Sequence, residues 1–147
     1  MNPLLAPILA AEDEESDAFL LRYAFEKSGI ANPLIVVGDG FHAVSYLRGD
    51  VPYDNRAQHP LPVMVLLDLK MPRMSGFDVL RWLANQPAEL RDIPAYIFSS
   101  SPAETDRHMA TQLGAQDYFV KPHDLGEFVA VIRSLPIARM ADAKSKA

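Results

Sequence analysis

The sequence of 147 residues contains no cysteine. That absence excludes disulfide frameworks, thiolate metal centres and cysteine nucleophiles, and it is compatible with a reducing cytoplasm, the expected location. No apolar run approaches the roughly 18 residues that a membrane-spanning helix needs. The run Leu4–Ala11 is broken by Pro7, followed at once by acids and preceded by no basic leader, so it does not read as a signal peptide. There is no cluster of Lys and Arg, and the formal net charge is −5. Phosphate neutralisation dominates non-specific nucleic-acid affinity, so neither nucleic acid nor membrane is an expected partner. The four histidines, His42, His59, His108 and His123, show no metal-ligand spacing. No internal repeat or low-complexity segment is present.

What is there begins with acid. Of 19 Asp and Glu, one stretch holds Glu12, Asp13, Glu14, Glu15 and Asp17, and the remaining acids balance the 14 Lys and Arg. The whole net charge can be assigned to that stretch. The length matches one ordinary domain with a full core. Hydrophobic residues at 49% and charged residues at 22% are ordinary globular values. The domain is placed at residues 1–135. Residues 136–147 are a tail, small, polar and slightly basic from Ala138 on, which reads as a helix extension or a disordered end.

Five short apolar runs stand out: Ile8–Ala11, Leu34–Val37, Val63–Leu67, Tyr96–Phe98 and Tyr118–Val120. Most show no polar alternation, the pattern of strands buried on both faces of a parallel sheet. Helix-period segments lie between them, near residues 16–28, 41–48, 76–85, 102–113 and 125–134. In the last, Leu125, Phe128, Val129 and Ile132 fall at i, i+3, i+4 and i+7. Ser101-Pro102-Ala103-Glu104 reads as a capping box with Pro at the first helical position. Gly114 reads as a left-handed stop. Ser75 with Asp78, and Asp124 with Glu127, have the same start spacing. The order is an α/β arrangement, (βα)5, and right-handed crossovers make it a doubly wound five-stranded parallel sheet. The connection from Gly49 to Pro62 is long and carries Pro52, Pro60 and Pro62. It reads as a surface insertion or as a loop that contacts a partner.

In an open sheet of this kind, sites form beyond the carboxyl ends of the strands. Glu12-Asp13 follow the first run, Asp68 the third, Ser99-Ser100-Ser101 the fourth and Lys121-Pro122 the fifth. Carboxylates converging on one crevice repel unless a cation or protons intervene. An all-oxygen ligand set suits Mg²⁺. A lysine alongside stabilises developing negative charge, and a serine hydroxyl donates to a phosphoryl oxygen. Together these parts describe a carboxylate nucleophile that accepts a phosphoryl group with metal help. Glu14, Glu15 and Asp17 read instead as the acidic first turn of a helix, where they meet its dipole favourably.

These segments carry a resemblance. The residues are Ile8–Asp13, Leu66–Leu80 with its Asp68-Leu69-Lys70-Met71-Pro72-Arg73-Met74-Ser75-Gly76 core, Ile97–Ser101, and Gly114–Pro122 with its terminal Lys121-Pro122. Over about residues 5–135 the sequence resembles the receiver domain of two-component response regulators. The long loop before the third strand resembles the single-domain receivers that partner bacterial phytochrome-type kinases.

The resemblance implies a flavodoxin-like strand order of 2-1-3-4-5. It implies that Asp68 is the phosphoacceptor, that Asp13 binds Mg²⁺ directly and that Glu12 acts through a metal-bound water. Lys70 is implied to give its backbone carbonyl to the metal. Ser99 is implied to bind the phosphoryl group and Lys121 to pair with it, and the Lys121–Pro122 bond is implied to be cis. Ser100 stands adjacent to Ser99. Lys70 and Ser101 occupy positions that influence phosphoryl lifetime. Tyr118 matches the aromatic switch; a core aromatic at a sheet edge is the alternative. The implied protein is not an enzyme acting on other molecules. It is a phosphoacceptor that catalyses only its own phosphorylation and dephosphorylation. The donor is a histidine kinase or a phosphotransfer protein. The read-out face joins the helix near 102–113, the strand at Tyr118–Val120 and the helix near 125–134. With few residues after Leu135, output is expected through a downstream protein target, a relay to another histidine, or a homodimer through that face. The rival readings are an unphosphorylated pseudo-receiver, an aspartate-nucleophile phosphohydrolase and a flavin-binding fold. Lys70, where a second acid belongs, disfavours the phosphohydrolase. Acids where a phosphate loop belongs disfavour the flavin fold.

Overall fold

A computed structural model describes residues 6–138. Five parallel strands form one sheet in the order β2-β1-β3-β4-β5. They are β1 (Ile8–Ala11), β2 (Leu34–Val37), β3 (Met64–Leu67), β4 (Ala95–Ser99) and β5 (Asp117–Val120). The three central strands are buried along their whole length, whereas β2 and β5, at the edges, are partly exposed. The helices are α1 (Glu15–Ser28), α2 (Gly40–Arg48), α3 (Gly76–Ala84), α4 (Ala88–Arg91), α5 (Glu104–Gln112) and α6 (Leu125–Arg133).

Alternation along each strand builds two cores. Leu9, Ala11, Val65, Leu67 and Ile97 point to one face, where Val44, Leu47, Val79, Leu80 and Ala110 of α2, α3 and α5 cover them. Ile8, Ala10, Leu66 and Phe98 point to the other, against Leu21, Ala24 and Phe25 of α1 and Phe128 and Ile132 of α6. Burial of such a side chain contributes about 1.5–3 kcal/mol. Leu135 and Ile137 join this second core. The chain is helical again at 136–138. The remainder of the tail, 139–147, lies outside the described residues.

Local chemistry accounts for the starts of α2, α3 and α6. Ser75 and Asp78 form a reciprocal capping box on α3. Asp39 accepts from the His42 backbone N–H at 2.8 Å on α2, and Asp124 from those of Gly126 and Glu127 on α6. α5 differs from its sequence reading, starting at Glu104 with Ala103 as its N-cap. The Ser101 hydroxyl donates to Asp106 at 2.6 Å and accepts from the Ala103 N–H at 3.3 Å. It therefore closes a local turn before the helix. α4 is a single turn, too short to register as a period, and its Leu90 packs on the first core.

The connection 49–62 is built around α2. Gly49 takes the left-handed backbone (φ 79°) that ends the helix. Arg56 then donates to the carbonyls of Tyr46, Leu47 and His59 at 2.8, 2.7 and 3.2 Å. Tyr46, Tyr53 and His59 form an aromatic cluster, and the Tyr46 hydroxyl donates to the Pro60 carbonyl at 2.9 Å. The cis bond among the described residues is Val51–Pro52; Lys121–Pro122 is not cis, contrary to the resemblance. Either isomer of an X–Pro bond lies within about 1 kcal/mol of the other, so the surroundings decide.

Candidate functional site

The sheet register brings the strand ends level. Ala11 pairs with Leu67, Leu67 with Ile97, and Ser99 with Val120. The ladder continues one residue further. Glu12 donates its N–H to Val37, Asp68 to Ala11 and Lys121 to Ser99, at 3.0, 3.2 and 2.8 Å. These bonds fix the backbone from which the functional side chains project. At Gly76 a Cβ would overlap the Asp68 carbonyl, so only glycine lets α3 begin so close to this strand end.

Lys121 stands at the centre. Its Nζ lies 2.6 Å from Glu12 Oε2, 2.8 Å from Asp68 Oδ2 and 2.8 Å from Asp17 Oδ2. The Lys121 side chain is 8% exposed. Burial works against its charge, but the hydrogen bonds of Asp17, Asp68 and Glu12 outweigh that and raise its pKa. Glu12 is shifted upward too, which for a carboxyl favours the neutral form. Burial, joined by repulsion from Asp68, pushes its carboxyl up to about 7 even though Lys121 and the Glu14 N–H bond to it. The site therefore holds more negative charge than one lysine balances.

Carboxylate oxygens of Glu12, Asp13 and Asp68 lie within 4.8 Å of one another. Glu12 and Asp68 are buried, and Asp13 is exposed. This donor set is all oxygen, anionic, and open on the Asp13 side. It fits a hard divalent cation. The Lys70 N–H reaches Asp68 Oδ1 at 3.4 Å while its side chain is exposed.

Ser99 is 1% exposed and Ser100 is exposed, so the inward hydroxyl at the β4 end is that of Ser99. Ser99 Oγ accepts from the Ser101 N–H at 3.2 Å. Tyr118 points inward, 4% exposed. Its hydroxyl donates to the Ser101 carbonyl at 2.7 Å, and the Arg107 guanidinium lies 5.0 Å from its ring centroid. Arg107 also donates to the Tyr118 carbonyl at 3.2 Å. The loop after Asp68 is braced as well. Arg73 holds a left-handed backbone (φ 67°), rare for a residue with a side chain, and pairs with buried Asp39 through Nε at 3.0 Å and Nη2 at 2.9 Å.

One reading changes at this point. Asp17 is more than a first-turn acid, because its carboxylate bonds Lys121. Sequence spacing carries no signal for this contact, since the two residues are 104 positions apart. The Glu14 N–H, which a first-turn acid at this helix position often accepts from, goes to Glu12 Oε1 at 3.0 Å.

The sequence matches the response regulator receiver domain over residues 8–133. The chain belongs to the response regulator receiver domain family. This receiver domain is 32% identical over 132 residues to the phosphate regulon transcriptional regulatory protein PhoB of Rhizobium meliloti, covering 90% of this chain and 52% of PhoB. It thus spans about half the length of that regulator. It is 29% identical over 128 residues to the response regulator Rcp1 of Synechocystis sp., covering 87% of this chain and 84% of Rcp1. The Mn²⁺-bound crystal structure of Rcp1 superposes with a TM-score of 0.77, covering 87% of this chain and 89% of that one. The response regulator RPA3017, from red light signaling of R. palustris, superposes with a TM-score of 0.83 at 33% identity, covering 88% of this chain and 90% of that one.

Proposed function

We propose that this receiver domain accepts a phosphoryl group on Asp68 from the phosphohistidine of a histidine kinase or phosphotransfer protein. One Asp68 oxygen forms the new bond to phosphorus as the nitrogen–phosphorus bond breaks, and the electron pair of that bond stays on the imidazole nitrogen. Asp13, Asp68, the Lys70 carbonyl and, through a water, Glu12 are the groups that would hold Mg²⁺, which when bound neutralises charge on phosphoryl oxygens. Lys121 turns an N–H from Asp68 to a phosphoryl oxygen, and the Ser99 hydroxyl donates to another. Tyr118 couples this event to the face formed by α5, β5 and α6. There a downstream partner or a second copy binds, as one of two pre-existing states gains population.

The observation that carries this reading is the buried contact of Lys121 with Asp68 beside the carboxylates of Glu12 and Asp13. The similarity to Rcp1 and RPA3017 supports a phytochrome-type kinase as donor, and Mn²⁺ in Rcp1 supports a divalent cation. The complete set of Glu12, Asp13, Asp68, Ser99 and Lys121 disfavours the unphosphorylated pseudo-receiver. Labelling with acetyl phosphate and Mg²⁺ tests the proposal. Wild type incorporates phosphate and Asp68→Asn does not. Equal incorporation by both proteins removes Asp68 from the role. Absence of saturable Mg²⁺ binding near Asp13 revives the pseudo-receiver.

A further inference from the structure

Lys121 has three N–H donors and meets three carboxylates, supplied by the end of β1, the first turn of α1 and the end of β3. Two of these acceptors have other duties. Glu12 and Asp68 also belong to the carboxylate cluster that fits a cation, whereas Asp17 lies outside it. When the cation and the phosphoryl group engage Glu12 and Asp68, their bonds to Lys121 must rearrange. The Asp17 bond has no such reason to break. Asp17 is also held well for this purpose. It sits on a helix of 14 residues whose Leu21, Ala24 and Phe25 are buried in the second core.

We propose that Asp17 is a positioning residue for phosphoryl acceptance. It tethers the Lys121 ammonium to α1, so the lysine keeps its place while its bonds to Glu12 and Asp68 are exchanged for bonds to the incoming phosphoryl oxygens. The inference rests on the phosphoacceptor reading of the same site. Without Asp17, Lys121 loses a charged hydrogen bond and must be oriented anew in each phosphorylation event.

The test compares wild type, Asp17→Asn, Asp17→Ala and Asp17→Glu in the full chain. Three quantities are read: the rate of labelling by acetyl phosphate, the affinity for beryllofluoride as a phosphoryl mimic with Mg²⁺ present, and the affinity for Mg²⁺ alone. Removal of one charged hydrogen bond predicts that Asp17→Ala lowers both the labelling rate and beryllofluoride affinity by about tenfold. Mg²⁺ affinity changes by less than about threefold, since Asp17 acts on the ion only at a distance across a screened, partly exposed site. Asp17→Asn is intermediate, and Asp17→Glu recovers part of the loss. Thermal melting confirms that each variant is folded, and the near-isosteric Asp17→Asn carries the test if Asp17→Ala does not fold. Wild-type labelling and beryllofluoride affinity in folded Asp17→Asn and Asp17→Ala overturn the proposal. A parallel loss of Mg²⁺ affinity overturns it too, because Asp17 would then act as part of the cation site. Failure of the wild type itself to label strikes the phosphoacceptor reading instead.

Discussion

At Lys121, one ammonium meets carboxylates at 2.6, 2.8 and 2.8 Å, and the side chain that carries it is 8% exposed. An ion in that setting is stable only because its donors are filled by opposite charge. Glu12 bears a cost of its own burial, its carboxyl pushed up to about 7. A pH dependence follows. Above pH 7 Glu12 is ionised and free to serve a cation; below pH 7 it carries a proton that the cation must expel. Apparent Mg²⁺ affinity therefore levels off as pH rises past 7 and falls as pH drops below it, by up to about tenfold per unit for a single linked proton. Calorimetric titration at pH 6, 7 and 8 checks this. A pH-independent affinity contradicts the charge assignment of Glu12. Much of this site is legible in the sequence, because strand-end position alone brings Glu12, Asp13, Asp68, Ser99 and Lys121 together. Asp17 is not legible. A first-turn acid has an ordinary explanation in the helix dipole, and only the packed fold brings Lys121 to it.

The elements divide in the same manner between local and long-range causes. Starts of α2, α3 and α6 follow from Asp39, Ser75 and Asp124, whose side chains satisfy nearby backbone N–H groups. The start of α5 does not. Ser101 has the right residue type and spacing for a cap, yet its hydroxyl serves Asp106 and its carbonyl receives the Tyr118 hydroxyl. A tertiary contact thus outweighs the local pattern. The connection 49–62 is another case in which packing could not be read from composition. Its prolines suggest an irregular insertion, but Arg56 ties it to α2 by donating to the Tyr46 and Leu47 carbonyls there and to the His59 carbonyl within the connection. Arg56→Ala leaves partly buried carbonyls short of a donor, and the expected loss is about 1–3 kcal/mol in urea unfolding. An unchanged urea midpoint means that the loop and helix are independent. In α6 the period of Phe128 and Ile132 marks a core face, and both are buried against the sheet.

For the molecule as a whole, strand order is what turns scattered residues into one site. β1 and β3 are central neighbours, so Glu12, Asp13 and Asp68 emerge side by side. β4 and β5 follow on the same side, and the inward Ser99 and Tyr118 link the crevice to the α5 edge. The concentration of acid at 12–17 gives the chain its net charge of −5, and part of it now has a local purpose around Lys121 and the cation cluster. Among the described residues, no helix is long and apolar enough to cross a membrane. Asp68 is the proposed site of modification. The most direct measurement is to phosphorylate the protein with acetyl phosphate and Mg²⁺, reduce the acyl phosphate with borohydride, and map the reduced residue by peptide mass spectrometry. Reduction is expected at position 68, abolished by chelation of Mg²⁺. Reduction at Asp13 or Asp17 with Asp68 intact contradicts that assignment.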